Sequence, residues 1–528
     1  MISDSQIRGA LRQYWGYESF RPRQASIVRS LLDGHDTCVV MPTGGGKSLC
    51  YQLPAALLEG KTAVVISPLI ALMQDQAAQL AQMGIPAAVL NSSLGAAEQL
   101  EITRAACAGK YRLLYVSPER LARADTGSWL GQVPVSFFAI DEAHCISEWG
   151  HEFRPEYRQL SRLRTEFPEL PIAAFTASAT RHVRHDIIEQ LQLKNPDKYI
   201  ASFNRPNLRY IVKQCTASDQ MELLANVLRK HAGSNVIIYS PTIARVGETV
   251  AFLEQNGISA IGYYGKMDAL TRRRNQELWT SDKVRVLVGT IAFGLGINKA
   301  AVRAVIHLSL PKSIEQYYQE AGRAGRDGQP ADCVLLWRKQ DLGLLGHFIR
   351  QVEDPAERER GWQRYHKICA FVDSAACRHR QICVHFGENP KWASCGACDV
   401  CGCGAEWLSA PAAPAGRGRR ERKRGKGSPA PGLPAGEADS GLREHLREWR
   451  RAAAKERSVP AFVVMHDTTL DDLCSRKPRT LGELREVRGF GPSKTENYGN
   501  EILAALKRYG RKQQGASLRT DPGGAGGR

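Results

Sequence analysis

Short apolar runs alternate with longer amphipathic stretches from the beginning of the chain to about residue 340. Apolar runs bounded by turn residues are typical of buried strands, and strands that alternate with helices form parallel sheets. The runs fall into two groups, residues 1–205 and 206–340, which predicts two parallel-sheet α/β domains in tandem. The predicted strands are Thr37–Met41, Ala63–Ser67, Leu113–Ser117, Phe137–Asp141 and Ile172–Thr176, then Asn235–Ser240, Ser259–Tyr263, Val284–Gly289, Ala304–Leu308 and Asp332–Trp337.

The pattern changes after residue 340. Residues 341–404 are helical and then rich in cysteine, which predicts a helical, metal-binding subdomain. Residues 405–440 are mostly Ala, Pro, Gly and Arg and are predicted to be a basic flexible linker. Helical periodicity returns in residues 441–511, which predicts a small all-α domain. The Gly-rich residues 512–528 are predicted to be a disordered tail.

Charge adds a partner to this picture. The 528-residue chain carries a formal charge of +18, and residues 405–528 hold 25 Lys and Arg against 15 Asp and Glu. Such an excess favours a nucleic-acid partner, although solubility alone would also explain it. The longest apolar stretches, such as Ala63–Met73, are too short to span a bilayer. We expect a soluble cytoplasmic protein with no membrane partner, associated with the nucleoid if the source is bacterial.

A glycine-rich loop follows the first predicted strand. Residues 42–48 read Pro-Thr-Gly-Gly-Gly-Lys-Ser, and a helical stretch comes next. Backbone N–H groups of such a loop bind nucleotide phosphates, a lysine reaches the outer phosphates and a hydroxyl ligates Mg²⁺. Met41 stands where the usual pattern has glycine, and an ordinary turn is the alternative interpretation. The candidate ATP-binding residues are Thr43, Gly44, Gly45, Gly46, Lys47 and Ser48.

Two carboxylates follow another predicted strand. Asp141 and Glu142 begin the sequence Asp-Glu-Ala-His directly after an apolar run. A carboxylate at the end of a buried strand is costly unless it holds a cation. The interpretation is that Asp141 holds Mg²⁺ and Glu142 orients and deprotonates water, whereas an isolated sequence of this kind would be an ordinary helix start. Together with Lys47, these residues predict nucleoside triphosphate hydrolysis.

Other side chains have the chemistry to complete this site. Gln24 can pair with the edge of adenine, with Tyr17 and Arg21 stacked on its faces, although a helix-capping loop is the default for that stretch. Arg323 and Arg326 lie on a predicted helix-to-loop segment of the second sheet domain. Either could stabilise charge on the transferred phosphoryl group. A solvent-exposed arginine pair is the alternative.

Seven of the 14 cysteines lie between Cys369 and Cys403. In a reducing compartment such a cluster favours metal over disulfides. Two-residue gaps allow thiolates to converge on one tetrahedral ion, which predicts structural Zn²⁺. Replacement of one ligand by Cys403 or Cys383 stays open. The four candidate ligands are Cys377, Cys395, Cys398 and Cys401.

In this order, the motifs resemble those of a superfamily-two helicase, specifically the RecQ family of DNA helicases. The most specific stretch is residues 141–157, which resembles the family's aromatic-rich loop that senses single-stranded DNA. Within it, Trp149 and Phe153 offer faces for base stacking, and Arg154 can contact phosphate or base. The resemblance implies RecA-like sheet domains and ATP- and Mg²⁺-dependent movement on single-stranded DNA from 3′ to 5′. It also implies unwinding of duplex or branched DNA in recombination and repair, with single-strand-binding protein and repair factors as partners.

Further segments carry the same resemblance. In the family they line the DNA groove or link it to the nucleotide, and Ser178 stands where the family has Thr in its Thr-Ala-Thr type motif. The segments are residues 67–69, 74–76, 117–120, 175–180, 203–208 and 290–299.

The C-terminal region resembles the small helical HRDC domain. Its Gly489-Phe490-Gly491 turn can bring N–H groups to a phosphate, and Lys494 adds charge. A plain interhelical turn in a protein-interaction module is the alternative. Residues 405–440 are too few for the winged-helix domain that many family members carry before HRDC, so we expect that domain to be absent.

Two other functions stay open. One is an RNA helicase, because the hydrolysis motifs are shared across the superfamily. The other is a DNA-stimulated ATPase or translocase, or a strand-annealing factor, with weak unwinding. In its non-enzymatic form this is a DNA-binding or strand-annealing scaffold held by the basic tail.

Overall fold

The structure is a computed structural model, and it describes residues 2–150, 152–290, 299–409, 440–456, 464–465 and 467–517. The described residues form two compact units. The first unit comprises residues 2–3, 20–77 and 85–409, and the second comprises residues 4–19, 78–84 and those from 440 onward.

The first unit opens with a parallel sheet. Its strands are β1 (Thr37–Val40), β2 (Thr62–Ile66), β3 (Ala87–Leu90), β4 (Leu113–Val116), β5 (Val135–Ile140), β6 (Ile172–Thr176) and β7 (Asp197–Ile200). Among the described residues their order is β3-β4-β2-β5-β6-β1-β7. The central strands are buried because their Val, Ile, Ala and Phe side chains pack under helices on both faces. This order places the carboxyl ends of β5, β6 and β1 side by side.

A second parallel sheet follows in the same unit. Its strands are β8 (Leu208–Gln214), β9 (Asn235–Tyr239), β10 (Ala260–Tyr263), β11 (Val286–Gly289), β12 (Val302–His307) and β13 (Ala331–Trp337). The order is β10-β11-β9-β12-β13-β8 in the part of the chain that is described. The two tandem sheets confirm the predicted fold class.

Helices cover the sheets and form the C-terminal half of the second unit. The helices that precede or cover the first sheet are α1 (Asp4–Ala10), α2 (Gln24–Leu32), α3 (Lys47–Leu57), α4 (Ile70–Gln82), α5 (Ala96–Cys107), α6 (Pro118–Leu121), α7 (Thr126–Leu130), α8 (Pro155–Arg158), α9 (Arg162–Glu166) and α10 (Arg181–Gln190). Those of the second sheet and the cysteine-rich region are α11 (Ala217–Lys230), α12 (Ile243–Gln255), α13 (Ala269–Thr280), α14 (Ile314–Ala321), α15 (Lys339–Arg350), α16 (Pro355–Asp373) and α17 (Arg378–His385). The C-terminal helices are α18 (Ser440–Glu456), α19 (Asp467–Arg476), α20 (Leu481–Arg485) and α21 (Pro492–Ser517). Across the described ranges, none of these helices has both the length and the apolar composition needed to cross a bilayer.

All ten predicted strands overlap a strand of the structure, and three further strands were not predicted. The missed strands are β3, β7 and β8, and each lies at the edge of its sheet. An edge strand packs on fewer neighbours, so its sequence does not need a continuous apolar run. β7, with the sequence Asp-Lys-Tyr-Ile, is the clearest case.

The structure differs from prediction at both ends of the C-terminal region. Residues 405–409, predicted to be linker, include a 3₁₀ turn, and Leu408 is buried in the core of the second sheet domain. Asn226 Nδ2 donates to the Leu408 carbonyl at 2.8 Å. Residues 410–439 lie outside the described part of the chain. At the other end, α21 continues to Ser517, beyond the predicted boundary at residue 511, and residues 518–528 also lie outside the described part.

Candidate active site and metal centre

The glycine-rich loop joins β1 to α3. Gly44 and Gly46 have φ of 79° and 82°, a left-handed conformation that L side chains rarely adopt. These turns bring the chain around so that α3 begins at Lys47 with its N-terminal N–H groups toward the loop. Lys47 Nζ donates to the Met41 carbonyl at 3.2 Å, which holds its amine beside the loop. The loop therefore has the backbone form of a phosphate cradle.

Asp141 and Glu142 stand at the end of β5. Asp141 is 5% exposed, and its Oδ1 accepts a hydrogen bond from the Glu142 N–H at 3.0 Å. Burial, and then the neighbouring Glu142 carboxylate, raise the pKa of Asp141 to about 7, although Lys47 opposes the shift. Tyr157 donates its hydroxyl to the Asp141 carbonyl at 2.9 Å and fixes the backbone here. A buried carboxylate of this kind fits a divalent cation as its partner.

A polar chain runs from Glu142 toward the second sheet. His144 Nδ1 lies 3.3 Å from Glu142 Oε2 and 3.0 Å from the Thr176 hydroxyl at the end of β6. Two residues later, Ser178 Oγ accepts a hydrogen bond from Gln319 Nε2 on α14 at 2.8 Å. The hydroxyl retained at Ser178 thus makes one of the contacts that join the two sheet domains.

Gln24 and Arg21 contact the loop in the structure. Gln24 Nε2 donates to the carbonyls of Gly45 and Gly46 at 3.3 and 3.2 Å. The Arg21 guanidinium donates to the Gly44 carbonyl. Their predicted contact with adenine stays a prediction, as does that of Tyr17, which is half-exposed and belongs to the second unit.

Ser48, the predicted Mg²⁺ ligand, is oriented by a buried amide. Gln76 Nε2 donates to Ser48 Oγ at 3.2 Å, and the Tyr51 hydroxyl donates to Gln76 Oε1 at 3.0 Å. Gln76 comes from the segment 74–76 that the sequence associated with the site, and the structure gives it a positioning contact.

The second sheet domain supplies arginines to the same loop. A Cβ on Gly44 would lie 3.1 Å from Arg326 Cγ, so this arginine packs directly on the loop backbone. Burial, and then the nearby guanidiniums of Arg323 and Arg205, lower the pKa of Arg326 to about 9. Arg323 hydrogen-bonds Tyr239 instead. Of the two candidate arginines, Arg326 is the one placed against the loop.

Arg205 joins the two domains, a role that sequence reasoning did not separate from its segment. Its Nη1 donates to the Thr43 carbonyl at 2.9 Å. Its Nη2 donates to the carbonyls of Ala324 and Gly325 at 3.2 and 3.1 Å. Thr43 Oγ1 adds a hydrogen bond to the Gly322 carbonyl at 2.9 Å. One guanidinium thus connects the phosphate loop to the turn that carries Arg323 and Arg326.

The predicted DNA-contacting residues of the first domain share one loop before α8. Trp149 is 48% exposed, and its ring lies edge-on to His182 with 4.9 Å between centroids. Phe153 is partly buried, and the Arg158 guanidinium carbon Cζ lies over its ring at 5.8 Å from the ring centroid. Arg154 Nη1 lies 3.9 Å from a Glu119 carboxylate oxygen. The loop exposes an aromatic face, and its contact with DNA stays a prediction.

The four predicted zinc ligands converge. Their Sγ atoms all lie within 4.8 Å of one another, and Cys383 and Cys403 are outside this group among the described residues. A tetrahedral Zn²⁺ with bonds of 2.3 Å needs sulfurs about 3.8 Å apart, which this cluster fits with small adjustments. The cluster thus offers four thiolates and leaves no position open for catalysis.

The metal centre is tied to the second sheet. Cys377 precedes α17, and Cys398 precedes a 3₁₀ turn whose Asp399 pairs with the Arg378 guanidinium at 3.1 Å. Asp399 Oδ2 also accepts a hydrogen bond from the Val212 N–H on β8 at 3.2 Å. Metal binding here would therefore support β8, one of the three edge strands that the sequence pattern missed.

Lys494, the predicted phosphate contact of the second unit, is buried. It is 5% exposed, and burial lowers its pKa to about 8. The neighbouring turn is also covered: a Cβ on Gly491 would lie 2.7 Å from the Gln13 carbonyl. Contact between Lys494 and phosphate stays a prediction and requires this side chain to become exposed.

Comparisons with protein families cover the chain in four segments. Residues 21–186 match the DEAD/DEAH box helicase family and residues 219–328 match the helicase conserved C-terminal domain. Residues 339–402 match the RecQ zinc-binding family and residues 439–506 match the HRDC domain. Residues 403–438 separate the last two matches, and the absence of a winged-helix domain stays a prediction.

Curated relatives share about two fifths of their residues with this chain. The ATP-dependent DNA helicase RecQ of Haemophilus influenzae is 43% identical over 391 residues, which cover 74% of this chain and 62% of that protein. The protein of the same name from Bacillus subtilis is 40% identical over 395 residues, covering 74% and 66%. The chain thus spans about three fifths of the length of the curated relatives it matches.

Solved structures show the same fold at low identity. MrfA, a DUF1998 helicase bound to DNA and AMPPNP, has a TM-score of 0.54 and 20% identity, covering 70% of this chain and 56% of that one. Mss116p bound to single-stranded RNA and AMP-PNP has a TM-score of 0.55 and 14% identity, covering 72% and 89%. At these identities the likeness establishes the paired RecA-like sheets alone.

Proposed function

Since this chain belongs to the RecQ family of DNA helicases, we propose that it is an ATP-dependent helicase acting on DNA. It moves along single-stranded DNA from 3′ to 5′ and unwinds duplex or branched DNA. The observation that carries the proposal is the convergence of two sheet domains on one phosphate loop. Lys47 stands on one side of that loop, and Arg326 packs on it from the other domain.

The loop and its neighbours would bind ATP. Backbone N–H groups of residues 43–48 and the Lys47 amine hold the phosphates. Gln24 and Arg21, already in contact with the loop, sense whether a nucleotide is present. Ser48 and Asp141 would hold Mg²⁺, which when bound neutralises charge on the phosphate oxygens.

Hydrolysis needs a water oriented for attack and a cation for the charge that develops. Glu142 orients the water and accepts its proton, while His144 keeps the Glu142 carboxylate linked to Thr176. Arg326 stabilises the charge on the transferred phosphoryl group. Because Arg326 belongs to the second sheet domain, this step depends on how closely the two domains approach.

The aromatic loop gives the cycle its DNA dependence. Its exposed Trp149 follows Glu142 by seven positions in the chain, so a base stacked on that ring acts on the segment that carries the hydrolytic carboxylate. The zinc centre has a structural part in this scheme. Single-strand-binding protein and repair factors are proposed partners, and a location with the chromosomal DNA, at the nucleoid in a bacterium, follows from the same proposal.

The test is ATP hydrolysis measured without nucleic acid, with single-stranded DNA and with RNA of the same sequence. Strong stimulation by DNA and weak stimulation by RNA is the expected result, and Lys47→Ala should remove both rates. Equal or greater stimulation by RNA would replace the proposal with an RNA helicase.

A further inference from the structure

An arginine of the helical region reaches the aromatic loop. Arg360 lies on α16, and its Nη1 is 3.4 Å from Glu148 Oε2. Its Cζ lies over the Trp149 ring, 5.8 Å from the centroid, within the range of a cation–π contact. No sequence motif pointed to this residue, because the two segments are more than two hundred positions apart along the chain.

The contacts leave Trp149 with two neighbours where a base would stack. Arg360 lies over the ring, and His182 lies edge-on at 4.9 Å between centroids. The ring is still 48% exposed. A base that stacks flat on the face of Trp149 covered by Arg360 would have to displace the guanidinium.

Arg360 is itself held in place. Its side chain is 13% exposed, and its Nε donates to Glu357 Oε2 at 3.0 Å one turn earlier on α16. On the loop side, Glu148 is paired by a second arginine, with Arg158 Nη2 at 3.0 Å from Oε1. Glu357 holds the Arg360 side chain, and Arg158 holds its partner Glu148. Because both partners are held, this ion pair restrains the loop more than a mobile surface pair would.

We propose that Arg360 is a positioning residue that restrains the aromatic loop in the DNA-free protein and is displaced from Trp149 when a base stacks there. Resting on the proposed function, this assigns α16 a part in setting how much DNA is needed to activate hydrolysis. A contact made in the DNA-free state and lost in the DNA-bound state favours the DNA-free state by its full worth.

The test compares Arg360→Ala with Arg364→Ala in the full chain. Arg364 lies one turn further along α16 and also pairs with Glu357. Each variant therefore loses one ion pair with Glu357, but only Arg360→Ala also loses the contacts with Glu148 and Trp149. Hydrolysis without DNA and the concentration of single-stranded DNA giving half-maximal stimulation are measured for both.

For Arg360→Ala we expect hydrolysis without DNA to rise and the half-maximal DNA concentration to fall, each by about three- to tenfold, the size of one cation–π contact with its ion pair. Arg364→Ala should resemble the wild type. Arg360→Lys, which keeps the charge near Glu148, should lie between them, and Glu148→Gln should shift in the direction of Arg360→Ala.

A higher half-maximal DNA concentration in Arg360→Ala would overturn the proposal, because it would mean that Arg360 binds DNA. Equal values in Arg360→Ala and Arg364→Ala would overturn it too. If the wild type hydrolyses ATP without any stimulation by DNA, the proposed function fails, and this outcome is distinct from either result for the variants.

Discussion

The two parallel sheets meet the phosphate loop with opposite edges. In the first sheet, the loop and Asp141 follow the carboxyl ends of β1 and β5. In the second, Arg326 lies on the turn that leads into β13, and the Gly325 N–H in that turn donates to Val302 at the start of β12. The same architecture therefore contributes its carboxyl edge in one domain and its amino edge in the other.

This difference separates two kinds of work. Carboxyl ends of parallel strands offer helix N-termini and short side chains, which suit binding of phosphate and metal. The second sheet contributes long guanidiniums from a turn, and these reach the loop only when the domains are close. We therefore propose that the first domain binds the nucleotide and the metal. The second domain supplies the positive charge that stabilises the transferred phosphoryl group.

The largest expected effect is on the binding edge. Lys47→Ala should abolish ATP hydrolysis, by at least about 10³-fold, because the amine that is proposed to meet the outer phosphates is lost. DNA binding should persist. Lys61→Ala, an exposed lysine before β2, is the matched control and should keep the wild-type rate. Retained turnover in Lys47→Ala would refute the assignment of the phosphate loop.

A change at the amino edge of the second sheet should lower the rate of ATP hydrolysis without lowering the affinity for ATP. Arg326→Ala is expected to lower kcat by about 10³-fold with ATP affinity within a few-fold of wild type, as for other arginines that act only in the transition state. Arg303→Ala, which removes the partner of the adjacent Asp327, is the control. A large loss of ATP affinity with kcat unchanged would mean that the second edge binds nucleotide as well.

Zinc removal should weaken one sheet more than the other. Cys398→Ser is expected to lose bound zinc and to lower the melting temperature, because metal binding contributes folding free energy. Hydrogen exchange should increase first in β8, where Val212 bonds Asp399 of the metal turn. Cys403→Ser, outside the converging group, should retain zinc. A variant of Cys398 that lacks zinc and is equally stable would contradict a structural role.

The smallest effect on hydrolysis is expected at Arg205, which connects the two sheet domains. Arg205→Ala removes hydrogen bonds to Thr43 on one side and to Ala324 and Gly325 on the other. Hydrogen bonds from a charged donor are worth about 1.5–3 kcal/mol, so kcat should fall by about ten- to a hundredfold. Arg205→Lys cannot span both sides and should recover little of this rate. Full activity in Arg205→Ala would show that the connection is dispensable.

Local sequence patterns predicted the central strands, the turn of the glycine-rich loop and the convergence of four cysteines. The phosphate loop and the cysteine cluster are set by short spacings that fix backbone geometry, and the central strands are set by continuous apolar runs. Edge strands such as β7 were not predicted because they need no continuous apolar run. The contacts of Arg205 and Arg360 were not predicted because each of these residues contacts segments that are far away in the chain. Burial of Lys494 also depends on tertiary packing, which charge patterning does not report.

The most direct test of the account is strand displacement with ATP on two duplexes, one with a 3′ single-stranded tail and one with a 5′ tail. Glu142→Gln serves as the protein that binds but does not turn over. We expect displacement of the 3′-tailed duplex alone, by the wild type alone. Hydrolysis stimulated by DNA without displacement of either duplex would contradict unwinding and leave a translocase or annealing factor.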